Sequence, residues 1–166
     1  MHAGSSKMRL ALVALAWIAG GCAWFQGSGA PSPIDLTITA GKQLNPDEGG
    51  HALPTSIRIY QLKTGGKMQA AEFDQLYRKE KETLGEELLR MDELIISPGE
   101  KVRKQVPRDA ATRALAVVAV FRRPSGERWR VIAPLTERGT TSLELTVEDY
   151  RVERLDTRPS RRAGDK

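Results

Sequence analysis

Ile34-Asp-Leu-Thr-Ile-Thr39 alternates apolar and polar side chains at every step. Successive side chains of an extended chain point to opposite faces, so Ile34, Leu36 and Ile38 share one face while Asp35, Thr37 and Thr39 share the other. This is the pattern of a half-buried strand, and outward from it the pattern recurs. Ile57 and Ile59 alternate with Arg58 and Tyr60 within Ser56–Leu62. Leu94-Ile-Ile96 is short and ends at the turn-forming Ser97-Pro-Gly-Glu100, after which Val102, Lys104 and Val106 predict a partly exposed strand stopped by Pro107. Ala114–Phe121 is apolar throughout, as expected of a central strand covered on both faces. Pro124-Ser-Gly126 turns the chain into Arg128–Ala133, where Trp129, Val131 and Ala133 share a face. Leu143, Leu145 and Val147 form another alternating strand, with Tyr150, Val152 and Arg154 continuing or pairing beside it. Short strands at this spacing predict a mainly β fold, a β-sandwich over residues 34–155. Tyr60, Phe121 and Trp129 read as its core or half-core residues, each stabilising by about 2–3 kcal/mol if fully buried.

One segment has a different period. Phe73, Leu76, Tyr77 and Leu84 recur at helical spacing, and Asp74 with Arg78, and Arg78 with Glu82, stand four residues apart. The spacing predicts one added helix over Ala70–Leu84, with Arg78-Lys-Glu-Lys-Glu82 as its solvated face.

Ahead of the strands, Lys7 and Arg9 open the apolar run Leu10–Ile18, which closes on Ala19-Gly-Gly-Cys22. A basic start, an apolar stretch and small residues before a cut site are the parts of a secretory signal. A cysteine directly after the small residues resembles the lipobox of bacterial lipoproteins, with Ala19 where leucine is usual. That resemblance implies a signal peptide over residues 1–21 and an acylated Cys22 as the mature N-terminus. Ala23, where inner-membrane lipoproteins commonly carry aspartate, points to the outer membrane. An ordinary signal peptide with an incidental cysteine is the alternative; a membrane span needs about 20 apolar residues, more than this run holds. Residues 22–33 then read as a lipidated flexible tether, rich in turn formers, averaging ~18 Å as a coil. Residues 156–166, with Arg158, Arg161, Arg162 and Lys166, read as a disordered basic tail, a solvated end rather than an attachment to anionic lipid or peptidoglycan.

Loss of residues 1–21 from the 166 leaves 145, the size of one domain, and lowers the formal charge from +5 to +3 as Lys7 and Arg9 leave. Cys22 is the only cysteine, so an acylated Cys22 leaves no thiol for a disulfide or a metal site. His51 is the one histidine after the signal segment, and it sits among Gly49, Gly50 and Pro54. That is too little for a zinc site or a Ser-His-Asp arrangement. Asp47-Glu48, Asp92-Glu93 and Glu148-Asp149 are sequence neighbours, which strands turn to opposite faces. Gly49-Gly50 and Gly65-Gly66 are turn dipeptides and match no phosphate loop. Trp129 is the one aromatic on the strand bearing Arg128 and Arg130, too few for a nucleic-acid stacking platform. No catalytic residue, metal or cofactor is expected, nor a nucleic-acid or small-molecule ligand.

Gly41–Pro54 joins the first two strands. Fourteen residues is long for such a connection, and loops of that length are often functional. Asn45-Pro-Asp47 favours a turn, Gly49-Gly50 permits unusual backbone angles, and Leu44 and Leu53 can anchor the base. Leu44-Asn-Pro-Asp47, Gly50 and Pro54-Thr-Ser-Ile-Arg-Ile-Tyr-Gln-Leu-Lys63 resemble the TssJ family, the outer-membrane lipoproteins of the bacterial type VI secretion system. Phe73-Asp-Gln-Leu76, Thr83-Leu-Gly85, Pro98-Gly-Glu100, Val117-Val-Ala-Val-Phe-Arg122 and Trp129-Arg130 extend the resemblance over most of the mature chain.

The resemblance implies a transthyretin-like β-sandwich and a non-enzymatic scaffold on the periplasmic face of the outer membrane. It also implies a partner, the periplasmic domain of the inner-membrane protein TssM, bound in part by the loop between the first two strands. Carried onto this chain, Asn45, Asp47, Glu48 and His51 are expected as exposed contacts, and Pro46, Gly49 and Gly50 as residues that shape the backbone. A small-ligand carrier or envelope-maintenance lipoprotein, with a polar-lined pocket inside the sandwich, is the alternative.

Overall fold

The computed structural model describes residues 31–136 and 141–155. The expected signal segment, Cys22, nearly all of the tether, and the C-terminal tail lie outside the described residues.

Among the described residues eight strands form two four-stranded sheets. Strands β1 (Ile34–Leu44), β4 (Lys101–Val106), β7 (Thr141–Asp149) and β8 (Arg151–Arg154) make one sheet in the order β4-β1-β7-β8. Strands β2 (Thr55–Leu62), β3 (Leu88–Ile96), β5 (Ala114–Ala119) and β6 (Arg130–Pro134) make the other in the order β3-β2-β5-β6. Strands β1 and β7 run parallel, with Ile34 opposite Thr141, and every other pair is antiparallel.

The period-two pattern dictates what lies between the sheets. From one side come Ile34, Leu36 and Ile38 with Leu143, Leu145 and Val147, and from the other Ile57 and Ile59 with Leu115, Val117 and Ala119, all at most 1% exposed. At about 25 cal/mol per Å² of apolar surface, this interleaved layer is the main stabilising term. The mainly β, transthyretin-like sandwich with an added helix is thus the observed fold. β5, apolar on both faces, is buried at all six positions because its other face lies under helical structure.

That cover is α2 (Phe73–Leu84), preceded by a five-residue turn of helix, α1 (Gly66–Ala70). The helix begins three residues later than its spacing predicts, because Ala71 and Glu72 are extended and Glu72 forms a capping box with Gln75. Leu76 and Leu84 are buried, and Tyr60, fully buried below, donates to Glu80 Oε2 at 3.0 Å. The Asp74–Arg78 pair forms at 3.8 Å; Glu82 pairs instead with Lys79 at 3.4 Å, where a non-helical Lys79 kinks the helix. Phe121 and Trp129 are core residues as expected, and the Trp129 ring meets Phe73 edge-on at 5.3 Å.

β3 is longer than Leu94–Ile96 because it pairs with β2 along its whole length, down to Leu88 opposite Leu62. An edge strand is covered on one side only, and Asp92, turned toward the interior side and bound by Arg90 at 3.0 Å, breaks its apolar alternation.

Candidate functional site

The β1–β2 connection stands at one end of the sandwich, and its form follows from three anchors. First, β1 bulges between Ala40 and Leu44, which oppose Val147 and Asp149 of β7. Gly41 permits this: a Cβ there would stand 2.5 Å from the Glu148 carboxyl carbon. Second, Leu53 N–H donates to Leu44 O at 2.9 Å and closes the base, as the two leucines predicted. Third, Asn45 takes a left-handed conformation at φ 45°, which asparagine tolerates better than most residues. Its N–H donates to Asp149 O at 2.7 Å, and its Oδ1 accepts the Arg122 N–H at 2.9 Å.

Asn45 therefore corrects an expectation. It is 4% exposed and a fastener of the loop to the end of β5, not an exposed contact. A buried amide needs a partner, and here its oxygen takes the backbone N–H of Arg122, just past the end of β5.

Beyond these anchors the chain wraps around one carboxylate. Asp47 Oδ1 accepts the N–H groups of Gly49 and His51, both at 2.8 Å, and both Asp47 oxygens lie 3.2 Å from His51 Nδ1. Asp47 N–H donates to His51 O at 2.9 Å, and Gly50 N–H to Asp47 O at 3.1 Å. These bonds, first the His51 amide, hold the Asp47 pKa below its ordinary value. Gly50 sits at φ +82°, the left-handed region that favours glycine, whereas Gly49 does not, and a Cβ at Gly49 would stand 2.9 Å from the His51 ring. Pro46 contributes its carbonyl, which accepts the Tyr150 hydroxyl.

Glu48 and His51 are exposed, and Asp47 is half-buried under its own turn. Glu48 Oε1 accepts Arg122 Nη2 at 2.8 Å and has Arg123 at 3.7 Å. Its pKa is lowered by its own backbone N–H and then by Arg122. Tyr150, set edge-on to Phe121 at 6.2 Å, and Arg122 are the site residues that loop-based reasoning missed. Arg122 was visible as the polar residue following an all-apolar strand and as the end of the Val117–Arg122 resemblance, and neither signal places it at the loop. Among the described residues no group of three or more His, Cys, Asp and Glu could hold a metal ion. The arrangement offers a preorganised, self-bonded turn of five residues with a charged flank.

The model of the family of type VI secretion lipoproteins (VasD, EvfM, TssJ, VC_A0113) matches residues 32–150. The chain belongs to this family. The crystal structure of the T6SS lipoprotein TssJ1 from Pseudomonas aeruginosa is similar at 29% identity and a TM-score of 0.71, over 75% of this chain and 95% of that one. A chain of a structure described as a type VI membrane complex is similar at 26% identity and a TM-score of 0.70, over 75% of this chain and 98% of that one. A chain of a structure described as the T6SS protein TssM C-terminal domain from EAEC shares the fold, at 24% identity and a TM-score of 0.66, with the same coverage. No curated protein matches the chain significantly. As a member of the TssJ family, this chain carries its self-bonded Asp47–His51 turn well inside the matched region, and its β-sandwich is the family's fold.

Proposed function

We propose that this TssJ-family lipoprotein is a non-enzymatic adaptor, anchored by an acylated Cys22 in the periplasmic face of the outer membrane, whose Asp47–His51 turn docks the periplasmic domain of TssM. The observation that carries the reading is the preorganisation of that turn. Its backbone is fastened at Asn45, Pro46 and Leu53 and wrapped on Asp47, so docking it loses little conformational entropy. Its position adds to this. β1 starts at Ile34, and its eleven residues carry the loop to the opposite end of the sheet, roughly 33 Å away. Family membership, the type VI membrane complex and the TssM structure among the similar proteins point to the same kind of partner. Two acyl chains or more hold a protein stably at a bilayer, so the anchor leaves the sandwich free for the partner.

The test is calorimetry of soluble Ala23–Lys166 with the TssM periplasmic domain of the same organism. A saturable one-to-one interaction, micromolar or tighter (about −8 kcal/mol), is expected. A short Gly-Ser turn in place of Asp47–His51, with Asn45 kept because it is buried, should leave the circular dichroism spectrum unchanged and weaken binding at least about tenfold. No binding by the folded domain would sink the adaptor reading; unchanged affinity of the loop variant would move the interface elsewhere.

A further inference from the structure

We infer that the outer face of the β4-β1-β7-β8 sheet docks a second copy of this chain, the two copies being related by a half-turn about an axis parallel to the strands. The alternation that sends Ile34, Leu36 and Ile38 inward leaves Asp35, Thr37 and Thr39 on the other side of β1. Register sets Lys101, Arg103 and Gln105 of β4, Ser142, Glu144, Thr146 and Glu148 of β7, and Arg151 and Glu153 of β8 on that same side. Both helices are bonded to the other sheet, α1 through Arg130 and α2 through Tyr60. No helix among the described residues covers the face of β1.

Charge is sorted across that face. Lys101, Thr39, Thr146 and Glu153 form one row across all four strands, a cation at one end, a carboxylate at the other and two hydroxyls between. The next row repeats the order with Arg103, Thr37 and Glu144. On β7 and β8 the carboxylates of Glu144, Glu148 and Glu153 stand against Arg151 alone, which Glu153 holds at 3.3 Å and Asp149 at 3.2 Å. Neighbouring strands lie about 4.8 Å apart, so about 14 Å separates the two ends of a four-strand row. Lys101 cannot reach Glu153 within one chain. Among the described residues Lys101, Arg103, Glu144 and Glu148 enter no ion pair.

The order of the row specifies what fits it. With the axis between β1 and β7, β4 of one copy stands over β8 of the other, and β1 over β7. Lys101 then meets Glu153, Thr39 meets Thr146, Asp35 meets Ser142, and Arg103 comes beside Glu144. Each contact is repeated on the far side of the axis, as an isologous pair requires. A half-turn about an axis across the strands sets β4 over β4, cation on cation, which like-charge repulsion disfavours. The chosen axis also keeps both copies pointing the same way, so the two Asp47–His51 turns stand at one end of the pair. On the adaptor reading above, such a pair offers two turns to its partner in one direction.

The face measures about 19 Å across four strands and about 20 Å along them, so a pair buries roughly 800 Å². A stable complex buries about 1,200 Å² or more, and association in solution is therefore weak, on the order of millimolar. Confinement at a bilayer, which the anchored reading supplies, raises the effective concentration into that range.

The test is sedimentation of residues 22–166 with Cys22→Ser at about 0.05 M and about 0.5 M salt. The parent chain should associate at millimolar concentration in low salt and be monomeric in high salt. Two double variants, Lys101→Glu with Arg103→Glu and Glu144→Lys with Glu153→Lys, should each be monomeric alone, with unchanged circular dichroism. Mixed in equal amounts they should pair at least about tenfold more tightly than the parent, because every reversed charge then meets its opposite. Should a reversal unfold the domain, Lys101→Gln with Arg103→Gln replaces it and should also abolish association. A parent monomeric at millimolar concentration in low salt, a folded variant that associates like the parent, or a mixture that stays monomeric would overturn the inference. Affinity for the TssM domain is read separately: its loss in the parent chain strikes the adaptor reading and leaves the charge-reversal result standing.

Discussion

Arg130 shows how much a single side chain settles here. Its guanidinium donates to Met68 O at 2.8 Å, Gln69 O at 2.7 Å and Ala71 O at 2.5 Å, and lies 4.4 Å above the Trp129 ring. It satisfies the carbonyls that end α1 and ties that turn to β6. Arg130→Ala should cost about 3 kcal/mol in urea unfolding, because it strands those carbonyls and removes a charge-assisted network. Arg130→Lys should recover less than half of that, since one ammonium cannot reproduce the fork. In the loop, Asp47 and Glu48 both have lowered pKa values, so what their ionised forms contribute is present above the ordinary carboxylate range and lost as pH falls through the folded values. The amide resonances of Gly49 and His51 should therefore titrate together with a midpoint below 3.8, the ordinary aspartate value; a midpoint at or above it would mean that the wrapped turn does not form in solution. The turn itself was legible: Asn-Pro-Asp with Gly-Gly is local chemistry. The burial of Asn45 was not, because its partner Arg122 lies 77 positions away.

At the scale of elements, the helix and the edge strand differ most from their sequence patterns. α2 ends at Gly85, whose φ 52°, ψ −132° lies in a region essentially reserved for glycine, with its N–H bonded to Lys81 O. Gly85→Ala should destabilise the domain by about 2 kcal/mol, read from the denaturation midpoint at unchanged m-value. No change would mean that the turn into the short 3-10 helix Gly85–Glu87 relaxes freely. Helical spacing located Leu76 and Leu84 correctly, since both face the sheet. It could not reveal that Ala71 and Glu72 are extended, because that depends on Arg130 gripping the end of α1. The first half of β3 was hidden for a related reason. Leu88-Leu-Arg-Met-Asp-Glu93 has no alternation of its own and is a strand because β2 offers it a partner along its whole length.

For the whole molecule, closure is uneven. Val152 N–H donates to Arg128 O at 2.7 Å, linking β8 to the residues entering β6 and joining the two sheets on one side. On the other side β3 and β4 are both edges, and each carries a charge on its core-facing register: Asp92 opposite Ile59, and Lys104 opposite Leu36. Inward charges at edges discourage pairing with another sheet. The double variant Asp92→Val, Lys104→Val should stay folded yet form concentration-dependent dimers or larger species by sedimentation. A variant that remains monomeric at high concentration would show that the edges are guarded by other means.

Apolar patterning is a local code: period-two alternation located most of the strands, continuous apolar runs located β5 and the end of β3, and together they determined a mainly β sandwich whose apolar faces meet. Turn chemistry likewise located the β1–β2 connection and the positive φ of Gly50, although Gly41–Leu44, expected in the loop, belong to β1 because they continue its pairing with β7 past a bulge. Which strands become neighbours is another matter. The parallel pairing of β1 with β7, the fastening of Asn45 by Arg122 and Asp149, and the bond from Val152 N–H to Arg128 O rest on contacts between distant positions. Such contacts exist only once the two apolar layers have closed, which is why tertiary structure alone placed the Asp47–His51 turn at the end of the sandwich opposite the start of β1.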